Sequence, residues 1–411
     1  MDAILLEWGS LLLRWLHVIA GIAWIGASFY FMHLDASLKP SPDIPAGKGG
    51  ETWEVHGGGF YQVRKYLVAP ARLPDELIWH KWQSYATWAS GFALLVWVYY
   101  LTPELYLIDP EVAALTPLQG TMIGIAALAI GWLVYDGLCR SPLGRHDMAL
   151  ACIGLVFIMG LAFGFSQVFS GRAALIHTGA VMATWMSGNV FLVIIPNQKK
   201  VIASLMAGEA PDPALGKAAK LRSTHNNYLT LPVLFLMLSN HYPLTYSTPW
   251  SWSIVGLVVV AGALIRVFYN HRHAGRGHPW WTLLVAAGCI GAAALISIAG
   301  SPAGRETLGL GPLPARGAAA ASVPEGFNPA HLAEATAIVQ SRCAMCHARE
   351  PLWPGIAMPP KGVVFETAGD VARQARAIRL QSILSHAMPP NNLTAMTAEE
   401  RTALARLLKR E

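Results

Sequence analysis

The chain has 411 residues, 54% hydrophobic and only 13% charged, with a mean hydropathy of +0.40, which excludes an ordinary soluble protein, whose charged fraction is about twice as large. A formal charge of +6 does not imply nucleic acid, because the Lys and Arg residues form no stripe interleaved with aromatics and membrane proteins collect such residues in cytoplasmic loops. The five cysteines make a disulfide framework an unnecessary assumption: Cys139, Cys152 and Cys289 sit singly in or beside apolar runs, where a small buried residue is the ordinary role.

A helix needs about 20 apolar residues to cross a bilayer core. Eight runs meet that criterion, near 9–34, 78–101, 119–139, 147–168, 172–195, 226–243, 251–270 and 281–300, the sixth being the least apolar. No small-residue cleavage site follows the first run, which therefore reads as an anchor and not as a signal peptide. Loops after the odd-numbered runs hold the cations: Lys39, Lys48, Arg64, Lys65 and Arg72; Arg140 and Arg145; Lys199, Lys200, Lys217, Lys220 and Arg222; Arg272 and Arg276. The opposite segments 102–118 and 244–250 have none. Since Lys and Arg stay on the cytoplasmic side, both termini are expected outside, with residues 301–411 in the periplasm.

Residues 301–325, rich in Ala, Gly and Pro, read as a flexible linker. After it comes Cys343-Ala344-Met345-Cys346-His347, two thiols at the spacing that adds to both vinyl groups of one haem, followed by an axial imidazole. Covalent attachment of this kind occurs outside the bacterial cytoplasm, in agreement with the charge map. Met388, before Pro389 and Pro390, is the expected sixth ligand; Met358, Met396 and His386 are rivals. The expected fold is all-α: a polytopic membrane bundle of about eight helices over 1–300, the linker, and a small class I cytochrome c domain over 326–411 that transfers electrons.

Ionisable residues inside spans are functional candidates by default. His17 and His177 each lie several residues in from the periplasmic ends of their runs and are candidates to ligate one b-type haem, against the alternative of two histidines bonded to helix neighbours; His241 could replace either. His17 and His33, sixteen apart, face opposite sides of one helix, so they do not hold two stacked haems. Towards the cytoplasmic ends gather His33, Asp35, the stretch Glu54–Tyr61 with its glycine triplet, His80, Lys81, Asn197, Gln198 and His225–Tyr228. The triplet is either an anion-binding loop or a tight turn.

The stretches WLHVIAGIAWIG (15–26), VHGGGFY (55–61), WHKW (79–82) and THNNYLTLP (224–232) resemble the bacterial membrane-integral urate hydroxylases, and the resemblance covers almost the whole chain. It implies oxidation of urate with water to 5-hydroxyisourate in the membrane part. Electrons would pass through the cytochrome domain to a respiratory acceptor such as a cytochrome c oxidase. On this reading Lys81, His80, Asn226, Asn227 and the glycine turn would offer cations and amide donors to the urate anion, and His225 or His56 would serve as base. Two other readings are a membrane cytochrome that only relays electrons from quinol or a dehydrogenase, and, from the His17 region, a protoporphyrinogen-oxidising haem protein.

Overall fold

A computed structural model of the protein describes residues 2–45, 49–66, 73–110, 112–311, 326–354, 356 and 358–408. Lys48, Arg72 and segment 312–325 of the expected linker lie outside the described residues. In chain order the elements are α1 (Asp2–Ser37), a hairpin of β1 (Gly49–His56) and β2 (Gly59–Tyr66), α2 (Trp82–Leu94) continued by a π-helical stretch Leu95–Tyr100, and a short α3 (Pro103–Tyr106). Then come α4 (Pro117–Arg140), α5 (Asp147–Ser166), α6 (Gly171–Gly188) running on through Asn189–Ile194 into α7 (Ile195–Met206), and α8 (Pro213–Ser239). The bundle ends with α9 (Ser251–His273), α10 (Trp280–Ala299) and the one-turn α11 (Pro302–Thr307). The C-terminal domain has α12 (Pro329–His347), α13 (Ala368–Arg373), α14 (Ala375–Ile378) and α15 (Ala398–Leu407).

Among the described residues, six helices are long and apolar enough to cross a membrane: Glu7–Ser37, Pro117–Arg140, Asp147–Ser166, Gly171–Met206, Ser251–His273 and Trp280–Ala299. Two of the eight expected runs are missing from that set. Run 78–101 is divided at Leu94 into α2 and the π-helical stretch, and run 226–243 begins midway along α8, just after Arg222 and His225 and at Asn226 and Asn227, and runs past its end at Ser239. Gly171–Met206 is the central helix, 67% buried, whereas α1, 6% buried, and α10, 17% buried, are peripheral. Their exposed Leu, Ile, Val and Trp side chains form the apolar surface that lipid would cover.

Helices α6 and α8 run antiparallel and set the frame for everything polar. Arg172 meets Asn240 at one end, Leu236 packs at Gly179 in the middle, and Arg222 meets Asn189 at the other end. Seventeen residues separate Arg172 from Asn189, about 26 Å of helix, close to the ~30 Å hydrocarbon thickness. The end with Arg222 also carries the basic loops and the hairpin; the end with Arg172 faces the C-terminal domain, whose Gly362 lies against Tyr246.

The hairpin corrects the all-α expectation. Its two strands pair from Gly49↔Tyr66 to His56↔Gly59, and Gly57 and Gly58 form the two-residue turn with φ of 58° and 81°. Positive φ at both central residues is what such a turn demands and what glycine supplies without a Cβ clash. The glycine triplet is therefore a hairpin turn and not an anion-binding loop. The hairpin is tied to α1 by Lys65–Asp35 at 2.5 Å and by Tyr30 Oη donating to Glu54 at 2.6 Å.

The C-terminal domain has its own apolar core, with Leu332, Ala335 and Val339 of α12 packed on Val371, Ile378, Met396, Leu404 and Leu407. Arg342 of α12 clamps Glu400 at the start of α15 through Nε and Nη2 at 2.8–3.0 Å, the fork geometry that suits a guanidinium and a carboxylate. At the start of the expected linker, 302–307 form α11, capped by Ser301.

Candidate functional site

Helix α8 presents two polar clusters on opposite sides, both at the basic end of the bundle. The first lies between α4, α6 and α8, and its hydrogen-bond directions follow from one cation. Arg222, 4% exposed, donates Nη1 to Asn189 Oδ1 at 3.1 Å and Nη2 to Asp136 Oδ1 at 2.6 Å. With its oxygen committed to Arg222, Asn189 turns its Nδ2 towards Tyr135 Oη at 2.8 Å and Asn226 Oδ1 at 2.9 Å. Asn226 then donates Nδ2 to the Met186 carbonyl at 3.0 Å. Tyr135 Oη, which accepts from Asn189, lies 2.8 Å from His225 Nδ1, within hydrogen-bond reach. His225, expected as a base, thus has its Nδ1 engaged by Tyr135 inside this cluster. The Tyr135 ring stacks on Trp185 with 4.8 Å between centroids. Asp136 also accepts from the exposed Arg140 on its other oxygen at 2.6 Å, and the members of this buried network partner one another, as stability requires.

The second cluster lies between α1, α8 and α9 and is built differently. Gly262 has no side chain where α9 crosses Pro232 of α8, since a Cβ there would come within 2.7 Å of Pro232 Cδ. That close approach brings Arg266, one turn further on, to Asn227. Arg266, 6% exposed, donates Nε to Asn227 Oδ1 at 2.7 Å and Nη2 to Asn270 Oδ1 at 3.2 Å, and its guanidinium lies 4.2 Å from the Phe29 ring centroid. No carboxylate pairs with it among the described residues. Beside it the rings of His33 and His273 meet edge to face at 4.5 Å. His33 is exposed and His273 half-buried, so the cluster opens at the basic end with Arg266 at its floor. An uncompensated cation with fixed amide partners beside two imidazoles is suited to binding an anion and taking up a proton.

The six residues expected to form one site are divided by this arrangement. His225 and Asn226 belong to the first cluster and Asn227 to the second. His80 packs on Phe31, 4.8 Å between ring centroids; Phe31 is two residues from both Phe29 and His33, about 200° around α1, so His80 is on the far side of that helix from the second cluster. Lys81 rests over the rings of Trp79 and Trp82. His56 is exposed at the hairpin tip. Sequence reasoning missed Tyr135, Asp136, Asn189, Arg266, Asn270 and His273. For the last three, the spacing Arg266/Asn270 and Tyr269/His273 on one helix was the available signal, since residues four apart are neighbours.

The expected His17–His177 pair does not meet. His17 Nδ1 is within hydrogen-bond reach of the Thr87 carbonyl at 3.0 Å and Ser90 Oγ at 3.1 Å, and its ring lies flush on Gly91. His177, with no exposed surface, bonds to the Ala173 carbonyl through Nδ1 at 2.8 Å and to Tyr100 Oη through Nε2 at 3.1 Å, enclosed by Tyr99, Phe165 and Phe169. Along the helix that both contact, His17 is level with residues 87–91 and His177 with 99–100, about 15 Å apart. In this arrangement each imidazole is engaged by protein groups and neither is directed at the other. Accordingly, His17→Ala and His177→Ala are each expected to leave the dithionite-reduced visible spectrum of the purified protein unchanged; loss of a b-type α band from both variants would overturn this reading.

In the C-terminal domain, His347 ends α12 and its Nδ1 donates to the Val363 carbonyl at 3.0 Å, with Phe365 beside the ring. That bond fixes the tautomer and leaves Nε2 as a lone-pair donor, the usual support of a metal-bound imidazole. Burial holds its imidazole below the usual range and pushes the Cys343 thiol up to about 12. Met396, 3% exposed, is packed in the apolar core, and His386 is exposed. Met388 and Met358 are half-buried. The Met388 backbone is pinned on both sides, its N–H donating to the Gln381 carbonyl at 2.9 Å and its carbonyl accepting from Arg401 Nη1 at 3.0 Å.

Residues 3–297, the whole bundle, match the family model described as Urate oxidase N-terminal; the C-terminal domain lies beyond the match. No curated protein and no solved structure matches the chain. With almost three quarters of its length matched, a chain whose bundle holds an open cationic cluster at its basic end belongs to the urate oxidase N-terminal family.

Proposed function

We propose that the protein oxidises urate to 5-hydroxyisourate at the Arg266 cluster and passes the electrons to a haem c held by its C-terminal domain. The observation that carries this reading is Arg266, a buried guanidinium with amide partners and no carboxylate among the described residues, in a chain of the urate oxidase N-terminal family. Urate is a planar anion at neutral pH, and a desolvated guanidinium offers it both charge and directed N–H donors. Arg222, by contrast, already has Asp136.

One urate and one water give one 5-hydroxyisourate, two protons and two electrons. As the water oxygen bonds to the ring carbon, a proton must leave it, and the imidazoles of His33 and His273 are the bases beside Arg266. Asn227 and Asn270 hold the guanidinium in place; the first cluster fixes α8 against α4 and α6, and so fixes Asn227. Cys343, Cys346, His347 and Met388 would hold the haem, the two cysteines through thioether bonds. When bound, it supplies a one-electron acceptor that the protein's own side chains lack.

The basic loops support a cytoplasmic position for the Arg266 end and a periplasmic one for the C-terminal domain, in a multi-pass inner-membrane protein. The final acceptor on this reading is a respiratory protein such as a cytochrome c oxidase. The test is the anaerobic visible spectrum of the detergent-solubilised protein before and after urate. A c-type α band is expected on urate addition alone. If dithionite raises that band and urate does not, the urate reading fails and a pure electron-relay role replaces it.

A further inference from the structure

The end of the bundle that faces the C-terminal domain holds a second uncompensated cation, which urate oxidation does not use. Arg172 lies in the first turn of α6 and is 7% exposed. Its Nη2 donates to Asn240 Oδ1 at 3.3 Å, its guanidinium covers the Tyr106 ring at 4.7 Å and the buried Tyr99 hydroxyl faces it, while Nε and Nη1 have no partner at hydrogen-bond geometry among the described residues. The Tyr246 hydroxyl, on a residue 6% exposed, is also buried without a partner. A helix N-terminus is itself electropositive, so the guanidinium gains nothing from its place in α6. Buried charges left unpaired are among the costliest features a fold can carry.

Tyr246 forms the seam between the two parts of the molecule. Its backbone carbonyl lies against Gly171 of α6, and its ring lies against Gly362, in the turn Pro360–Gly362 of the C-terminal domain. Lys361 in that turn is drawn below the usual lysine range by burial and by the nearby Arg172 and Arg14. His241 is lowered likewise, by burial first and then by Arg14, Arg172 and Lys361. The carboxylate that faces Lys361 is Glu7, which is exposed. Arg14 and the exposed Lys361 and His241 thus stand near the buried donors of Arg172 and Tyr246, and Glu7 is the carboxylate beside them among the described residues.

We propose that Arg172, Tyr246 and Lys361 form an oxyanion site at the seam of the two domains, which takes a carboxylate or phosphate group. Two guanidinium N–H groups, a phenol O–H and an ammonium are the donors such a group needs. Two sources offer that chemistry. One is a propionate of the haem, since Val363, two residues beyond Lys361, accepts the bond from His347 and so makes this turn part of the haem pocket wall. The other is the headgroup phosphate of a phospholipid at the membrane surface.

The test uses the full-length holoprotein in detergent, without urate, so that its outcome is independent of the substrate assignment. Lys361→Gln, Tyr246→Phe and Arg172→Gln are compared with wild type and with Arg172→Lys, by spectroelectrochemical midpoint potential and by phosphorus bound per chain after exhaustive delipidation. If the anion is a propionate, the two charge-removing variants lower the midpoint, because a lost cation favours the ferric form, Arg172→Lys restores it, and bound phosphorus is unchanged. If it is a lipid phosphate, those variants lose one phosphorus per chain and the midpoint holds. If neither quantity moves in variants that elute as monodisperse protein with an intact haem spectrum, the site is overturned.

Discussion

Arg266→Gln is expected to lower kcat/KM for urate by about a hundredfold, equivalent to about 3 kcal/mol, the typical loss when one partner of a buried charge contact is removed. The measurement is urate-dependent reduction of an artificial electron acceptor, with the reduced haem spectrum as a check that the protein is intact. The deficit should fall mainly in KM if Arg266 binds urate and transition state alike, and Arg266→Lys should recover part of it, since an ammonium restores charge but not the fork. The contrast is Asp136→Asn, which leaves Arg222 buried at 4% exposure beside a neutral partner. That change should cost stability, roughly 3 kcal/mol from loss of a buried pair's carboxylate, and appear as a lower melting temperature. Equal urate kinetics in Arg266→Gln and wild type would remove the anion from this cluster.

The contrast between the two arginines also marks what could be read from the chain. Apolar runs and the Cys343–His347 motif were legible because each is a local pattern: a window of hydropathy, or a fixed spacing of reactive groups. Helix α8 was the hardest run to read because its polar half faces inward. Arg222, Asn226 and Asn227 are buried there only because α4, α6 and α9 supply Asp136, Asn189 and Asn270. The hairpin escaped because its two strands are short and interleave Trp53, Val55 and Phe60 with Glu51, Gln62 and Arg64 on one face, which gives only a weak period-two pattern. His17 and His177 looked equally deep when measured from the ends of their apolar runs. But α1 has 36 residues, about 54 Å, far longer than the core, so distance from an end does not give depth. Arg266, inside run 251–270, and His273 were passed over, since their spacing with Asn270 and Tyr269 marks them as helix neighbours but does not tell a cation that turns inward from one that turns to water.

Cys343→Ala should separate the two halves of the reaction. The variant is expected to lose the covalent haem, seen as loss of haem staining on a denaturing gel, and with it urate-dependent reduction of a respiratory acceptor. Reduction of a small artificial acceptor at the bundle should persist, because the Arg266 cluster and the Cys343 side chain belong to different domains with separate apolar cores. The axial ligands sharpen the test. Met388→Ala should abolish the weak sulfur-to-iron charge-transfer band of the oxidised protein and lower its midpoint potential, since thioether ligation raises it. Met358→Ala should leave both in place, because it is Met388 whose loop Arg401, 8% exposed, fastens by its bonds to the Ser382 and Met388 carbonyls and Asn392. If Met358→Ala loses the band and Met388→Ala keeps it, the ligand loop is the one that follows Pro354, and the oxyanion-site turn at Lys361 then lies on the same segment as the sixth ligand.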